Sequence, residues 1–523
     1  MKLLFNFSLF LILIFTETGC KIKTHTQKPN IIFIYADDLG RGLLSIYGQK
    51  IIKTPNIDRL AQQGIRFDNV YGCMYCAPAR ASLITGMHDC HQNLWNITDG
   101  GIYKKLDHGL TFNEIKDKIN SVAMPAKNDE IFLGQVAQNA GYITAEFGKL
   151  EWGFSTTFER IKRHGWDYHF GYYDHVRCHG FYPPFLFENG VKITIPGNTR
   201  IDCGKTGEPE TPEVYKERWN MSGKAVYSEN IIMKKLLKFM DDNQPGKTGK
   251  PFFIYFPTQL PHGPVSIPKV HPDFKNNSSL TEIEKEYASM VKMLDDDVGR
   301  IYTKAEELGI LKNTIIIFSA DNGHEIYYSM KDRCSKNTNR SLSGQIYDNV
   351  KTKFYSELNG DIFDGNDGMA GLKRSNWEGG ARVPLCWYWK GKIEPGQVCS
   401  QMISNYDLLN TIAEITGQKQ IENKDGVSYA KILWGEKCNT RDYTVFSSFM
   451  GPALVTKDGW KLRYFSPKNL FQLYYLLNDY REENDLSVIH PKKLEQLKTI
   501  LLKECDGNLD NGLYSAQKQV QPE

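Results

Sequence analysis

The sequence predicts an α/β protein: a large domain built on a largely parallel sheet, followed by a smaller C-terminal subdomain of shorter strands. Two observations carry this. Apolar runs at 30–36, 142–147, 251–256 and 314–319 have the unbroken β-branched and aromatic texture of strands buried on both faces, with helical patterns such as 287–308 between them. After about Pro384 the runs shorten, to 453–455 and 460–464, with one helical stretch near 407–416.

In chain order, the first strand, Asn-Ile-Ile-Phe-Ile-Tyr-Ala, runs straight into Asp37-Asp38. Thr54 then reads as an N-cap, Pro55 as the first helical residue and Gly64 as the stop, with a short strand expected over 65–70. The expected organisation is a signal segment at 1–20, a polar tether at 21–28, the large domain at 29–390, the smaller one at 391–510 and a polar tail at 511–523. The segment 323–368 is long, polar and rich in Tyr, Ser, Asn, Asp and Lys, a texture associated with function or disorder.

Composition narrows the function. Of 523 residues, 41% are hydrophobic and 24% charged, which places the chain among globular proteins able to bury a large core. Lys plus Arg (64) nearly balances Asp plus Glu (61), so the net charge of +3 gives no electrostatic case for tracking nucleic acid. The eleven cysteines are scattered without zinc-type pairs of clusters, and their spacing fixes no disulfide pairing.

At the N-terminus, Lys2 precedes an apolar run over 3–15, too short for a bilayer but suited to a secretory signal. Thr18-Gly19-Cys20 resembles a bacterial lipobox, although Glu17 stands where an apolar residue is usual. The expectation is an exported protein, a periplasmic or cell-surface lipoprotein anchored at Cys20, with a soluble secreted protein as the alternative.

Asp37 and Asp38, and likewise Asp321 and Asn322, follow directly on predicted strands, where open α/β sheets bind ligands. Their donors are oxygens, which suit a hard cation, calcium or magnesium. Cys76-Ala77-Pro78-Ala79-Arg80, with Thr85-Gly86 downstream, resembles the Cys-x-Pro-x-Arg signature of the formylglycine-dependent sulfatases. The resemblance extends over about 29–486 and includes His164-Gly165-Trp166-Asp167-Tyr168, Tyr182-Pro183-Pro184, Leu473-Tyr474-Tyr475-Leu476 and Glu482-Glu483-Asn484-Asp485-Leu486. It implies an alkaline-phosphatase-like α/β fold: a large domain with a mixed, mainly parallel sheet and the active site at the strand ends, plus a smaller C-terminal α+β subdomain with an antiparallel sheet.

The resemblance further implies that Cys76 becomes formylglycine, through a maturation enzyme, and that Asp37, Asp38, Asp321, Asn322 and position 76 hold one Ca²⁺. Lys149 in Gly-Lys-Leu-Glu and Lys373 before Glu378-Gly-Gly-Ala-Arg-Val-Pro match family lysines that bind sulfate, and His262 in Leu-Pro-His-Gly-Pro matches the histidine beside the ester oxygen, here the expected general acid. Arg80, one turn beyond Cys76 on a helix expected to open at Pro78, would orient the nucleophile. In the implied reaction one hydroxyl of the hydrated aldehyde attacks sulfur and deprotonation of the other expels sulfate.

One position departs from the pattern: Glu151 stands where the family has a histidine. A carboxylate there can act as a base, pair with a lysine or read substrate hydroxyls. The expected substrate is a sulfated saccharide, with Glu151, Trp152, His175, His179, Tyr182 and the 323–368 segment as candidate sugar contacts. Two other readings stand beside it: a phosphodiesterase or phosphonate monoester hydrolase of the same superfamily, and a non-catalytic glycan-binding lipoprotein.

Overall fold

The computed structural model describes residues 28–92, 97–98, 101–121, 129–150, 153–207, 210–330, 333–334, 353–438, 440–513 and 519–520. The signal segment, Cys20, the tether up to residue 27, Glu151 and Trp152 lie outside the described residues, as do parts of the 323–368 segment and of the tail.

The largest sheet has ten strands, and its five central ones, Thr314–Ala320, Asn30–Ala36, Phe252–Pro257, Ile143–Gly148 and Tyr168–Gly171, are neighbours in that order and all parallel. Antiparallel strands flank them, Leu385–Trp389 on one side and Phe185–Glu188 on the other. Every residue of Asn30–Ala36, Phe252–Pro257 and Thr314–Ala320 is buried, which explains their continuous apolar sequence: helices cover the sheet, and no position alternates towards water. The helices Pro55–Gln62, Ser228–Asn243 and Glu282–Glu307 pack in one group, and Cys76–Thr85, Leu133–Asn139 and Leu408–Ile415 in another.

Several elements differ from expectation. The long helix starts at Glu282 because Thr281 and Glu284 form a capping box, the Glu284 N–H donating to Thr281 Oγ1 and the Thr281 N–H to Glu284 Oε2. Thr54 precedes its helix but does not cap it; its hydroxyl donates to Asp58 and accepts from the Ser45 N–H. The strand expected over 65–70 is two strands in different sheets, Ile65–Phe67 and Val70–Tyr71, with Asp68 turned out to pair with Arg66.

A separate four-stranded antiparallel meander, Tyr443–Phe446, Ala453–Thr456, Trp460–Phe465 and Leu470–Tyr475, follows, and Leu497 and Leu501 of the helix Pro491–Glu504 pack into its core. The change of texture near residue 390 does not separate the sheets. Gln397–Cys399 is an edge strand of the large sheet, and Leu408, Leu409 and Ile412 belong to the main core. Short strands read as a new domain there because edge strands are short as well.

Two contacts tie the parts together. Buried Lys461 of the meander meets Glu378 at 3.0 Å and Glu482 at 2.8 Å, while Arg463 lies over the Trp377 ring. Behind helix Cys76–Thr85, His91 is held between Asp425 at 3.0 Å and Asp506 at 3.3 Å, and His88 stacked on it reaches Glu504 at 3.1 Å. Burial alone would depress His91, but Asp425, followed by Asp506, outweighs it and carries the imidazole up to about 9. A raised folded-state pKa contributes stability that is full below the unfolded value of about 6.5 and is lost as pH rises through the folded one. His91→Gln is therefore expected to melt below the native protein at about pH 6, and the gap between them to close above about pH 9 in paired thermal scans; a gap independent of pH would refute the charged clasp.

Candidate active site

The parallel register pairs Ala36 with Ala320, so the next residues, Asp37 and Asp321, leave the sheet side by side. Lys149 follows Ile143–Gly148, His262 lies beyond Phe252–Pro257, and His175 and His179 lie beyond Tyr168–Gly171. Consecutive strand ends thus deliver the site. Cys76 is the first residue of the helix Cys76–Thr85, two residues earlier than expected; Pro78 falls in its first turn, where a missing N–H costs no bond. Gly86 ends the helix at φ 70°, the left-handed conformation a C-terminal glycine supplies.

Asp37, Asp38 and Asp321 are fully buried, and three cations answer them. Lys149 pairs with Asp37, Lys373 donates to Asp38 Oδ2 at 2.6 Å, and Arg80 lies 3.3 Å from Asp321 and 3.8 Å from Asp37. Burial opposes ionisation, yet Lys149 holds the Asp37 carboxyl well below its usual range and Lys373 lowers Asp38. Asp321 goes the other way: burial, then the neighbouring Asp37 charge, pushes it up to about 8. Asp38 sits at φ 60°, a left-handed conformation aspartate tolerates, with its N–H on Asp321 Oδ1 at 3.0 Å.

Lys373 is the hub. Its ammonium reaches Asp38, Cys76 Sγ at 3.4 Å and His262 Nε2 at 3.3 Å. His262 faces its own Gly263 carbonyl through Nδ1; a carbonyl only accepts, so Nδ1 carries the proton and Nε2 of the neutral ring is an acceptor. Burial, then Lys373, keeps the ring far below its ordinary pKa. Burial, followed by Asp37, likewise pushes the Cys76 thiol far up, so the unmodified sulfur is a poor nucleophile.

Two buried oxygens, Asp37 Oδ1 and Asn322 Oδ1, have no hydrogen-bond partner among the described residues. Beside them stand Asp38 Oδ1, which accepts from the Asn322 amide at 2.8 Å, and Asp321, whose oxygens take backbone N–H groups and Arg80. Orphaned oxygens among buried carboxylates are the donor set a hard cation satisfies.

The structure brings together all the expected nucleophile, lysine, histidine and oxygen-ligand positions. Arg80 pairs with the carboxylates Asp321 and Asp37, and its charge also acts on Cys76. His175 and His179 do line the cavity of about 460 Å³ above Cys76, with His179 stacked on His262 at 4.1 Å. Tyr182 does not line it; it packs edge-on against Tyr227 in the core. Sequence reasoning missed Tyr327, whose hydroxyl donates to Asp38 and meets His262 Nε2 at 3.1 Å. Its one signal is position, four residues beyond Gly323.

A buried oxyanion-binding centre at parallel strand ends, with a cysteine heading a helix, defines a strand-end ester hydrolase of the alkaline-phosphatase-like kind. The chain belongs to the sulfatase family and is a sulfuric ester hydrolase: the Sulfatase family model matches residues 29–418, and a second, N-sulphoglucosamine sulphohydrolase C-terminal, matches 370–507. It is 27% identical to an N-acetylgalactosamine-6-O-sulfatase of Bacteroides thetaiotaomicron, over 92% of this chain and 96% of that protein. It is 28% identical to the rat N-acetylgalactosamine-6-sulfatase, over 75% of this chain and 63% of that protein. A solved structure titled as a sulfatase of the Bacteroides thetaiotaomicron locus for multiple glycosaminoglycans matches with TM-score 0.66, 24% identity and coverage of 92% and 100%. The phosphonate monoester hydrolase of Agrobacterium radiobacter matches with TM-score 0.52 and 16% identity, over 91% of this chain and 95% of that one, which is a likeness of fold.

A Cβ on Gly263 would lie 2.0 Å from the Tyr327 ring, so only glycine lets the ring reach Asp38 and His262. Gly263→Ala and Tyr327→Phe are both expected to lower kcat at least about tenfold, the loss of roughly 1.4 kcal/mol of transition-state stabilisation, while the protein stays folded. Wild-type kcat in either would show that the tyrosine is packing alone.

Proposed function

We propose that the protein releases inorganic sulfate from a sulfated carbohydrate, with formylglycine at position 76 and one Ca²⁺. The observation that carries this reading is Cys76 Sγ at the floor of the cavity, 3.4 Å from Lys373 and 3.9 Å from Asp38 Oδ1, beside two orphaned oxygens. Formylglycine, as its hydrate, supplies one hydroxyl for attack on sulfur and a second for release of sulfate. Asp37, Asp38, Asp321, Asn322 and position 76 would hold the cation, whose chemistry is to neutralise charge on the sulfate.

Lys149 and Lys373 bind the sulfate oxygens, and Arg80 helps keep Asp37 ionised and holds Asp321 in place. His262 protonates the departing alcohol. Because its resting Nε2 carries no proton, one must arrive there before the alcohol departs; the Tyr327 hydroxyl at 3.1 Å and the Lys373 ammonium at 3.3 Å are its neighbours. His175 and His179, with Tyr75 and Phe154, form the wall against which the sugar packs.

The names of relatives support a sugar substrate: N-acetylgalactosamine-6-sulfatases by sequence, and by fold a protein in complex with D-glucosamine-2-N,6-O-disulfate. The leader and Cys20 support export as a lipid-anchored protein, with a formylglycine-generating enzyme as its maturation partner.

Protein made with such an enzyme is expected to carry formylglycine at position 76 by peptide mass spectrometry and to release sulfate from a panel of monosulfated sugars. Cys76→Ala is expected to lose on the order of 10³-fold or more in kcat. Full activity with an intact thiol, or faster cleavage of phosphate than of sulfate esters by matured protein, overturns the reading.

A second prediction concerns the cation. Asp321, held up to about 8, is protonated at neutral pH and must ionise to act as a ligand. Calcium binding is expected to release close to one proton at about pH 7 and to tighten as pH rises from about 6 to 8. Calorimetric enthalpies that do not change with buffer would exclude this linkage.

A further inference from the structure

The cavity extends beyond the reacting centre to Lys205, Thr206 and Arg374. No aspartate or glutamate is among the described residues that line it. Every other basic side chain at the site has a carboxylate beside it: Lys149 has Asp37, Lys373 has Asp38, Arg80 has Asp321, and Arg374 has Glu325 at 2.9 Å. Lys205 has no ion pair and no side-chain hydrogen bond among the described residues. Its electrostatic neighbours are the Cys178 and Cys203 thiols, His179, Lys104 and, without an ion pair, Asp174; burial is the largest influence and pulls its ammonium below the ordinary lysine range.

A half-buried cation with no ion-pair partner in contact costs free energy that a ligand can recover. The scissile sulfate carries a single negative charge, and Lys149, Lys373 and the oxygen-ligand centre already meet it. Lys205 lies outside that set, on a part of the cavity that only the remainder of the substrate reaches.

Resting on the reading of the site as a carbohydrate sulfatase, we propose that Lys205, with the Thr206 hydroxyl beside it, is a subsite for a second anionic group. The preferred substrate is then a saccharide that bears, besides the scissile sulfate, another sulfate or a carboxylate. Removing Lys205 should erase the preference for the doubly charged ligand.

The test is binding to the full chain with Cys76→Ala, which separates recognition from turnover. Calorimetry compares a monosulfated monosaccharide, the same sugar with a second sulfate, and a monosulfated disaccharide bearing a uronate carboxylate. At least one doubly charged ligand is expected to bind about tenfold tighter, with a steeper salt dependence. The ratio should fall to within about threefold in Lys205→Met and persist in Lys205→Arg. Equal binding of all three, no binding by any, or a preference that survives Lys205→Met overturns the subsite. Since the salt series needs no change at Lys205, misfolding of a variant cannot shield the idea. Intact preference in a matured enzyme that releases no sulfate overturns the catalytic reading alone.

Discussion

The organising constraint is the burial of Asp37, Asp38 and Asp321 at the ends of two adjacent parallel strands. The register that pairs Ala36 with Ala320 leaves no choice about their proximity. Taking the Asp37 and Asp38 charges out of water costs several kcal/mol each, so the fold must bring compensating charge from elsewhere. Arg80 comes from a helix, Lys149 from a neighbouring strand end and Lys373 from a segment 335 residues beyond its partner Asp38. The chemistry of the site is a consequence of that compensation, because the same cations that quiet the carboxylates can turn to an incoming sulfate.

Delivering Lys373 demands close backbone approach. A side chain on Gly323 would bring its Cβ within 1.9 Å of the Gly379 carbonyl, so the stretch after Asp321-Asn322 and the stretch after Lys373 lie directly against each other. The motif that follows Lys373 serves anchorage. Glu378 is engaged by Tyr71, Arg382 and Lys461, and its N–H by Glu482, so the segment is clamped between the large sheet and the meander.

Much of this is legible in the sequence because burial on two faces forces a continuous apolar run, and the acidic pairs stand directly after two such runs. The Cys-x-Pro-x-Arg resemblance then names the helix. What escaped depends on tertiary placement. Tyr327 and Lys205 matter through what they meet across the cavity, and no spacing records that. Arg80 was read by its distance from Cys76 along the helix, and its pairing with Asp37 and Asp321 adds partners that no helical spacing records. The end of the large sheet was misjudged near 390 because an edge strand and a meander strand share the same short texture, and only pairing tells them apart. Glu151, the one departure from the family pattern, lies outside the described residues.

The clamp at Glu378 enlarges the active site in a genetic sense. Lys461 and Arg463 lie on the meander, far along the chain from any reacting atom, yet they grip the same short segment that presents Lys373. A lesion in either would move the lysine that bridges nucleophile, ligand carboxylate and acid. Selection on catalysis therefore reaches into a sheet that touches no substrate, and the two halves of the chain are bound to evolve as one.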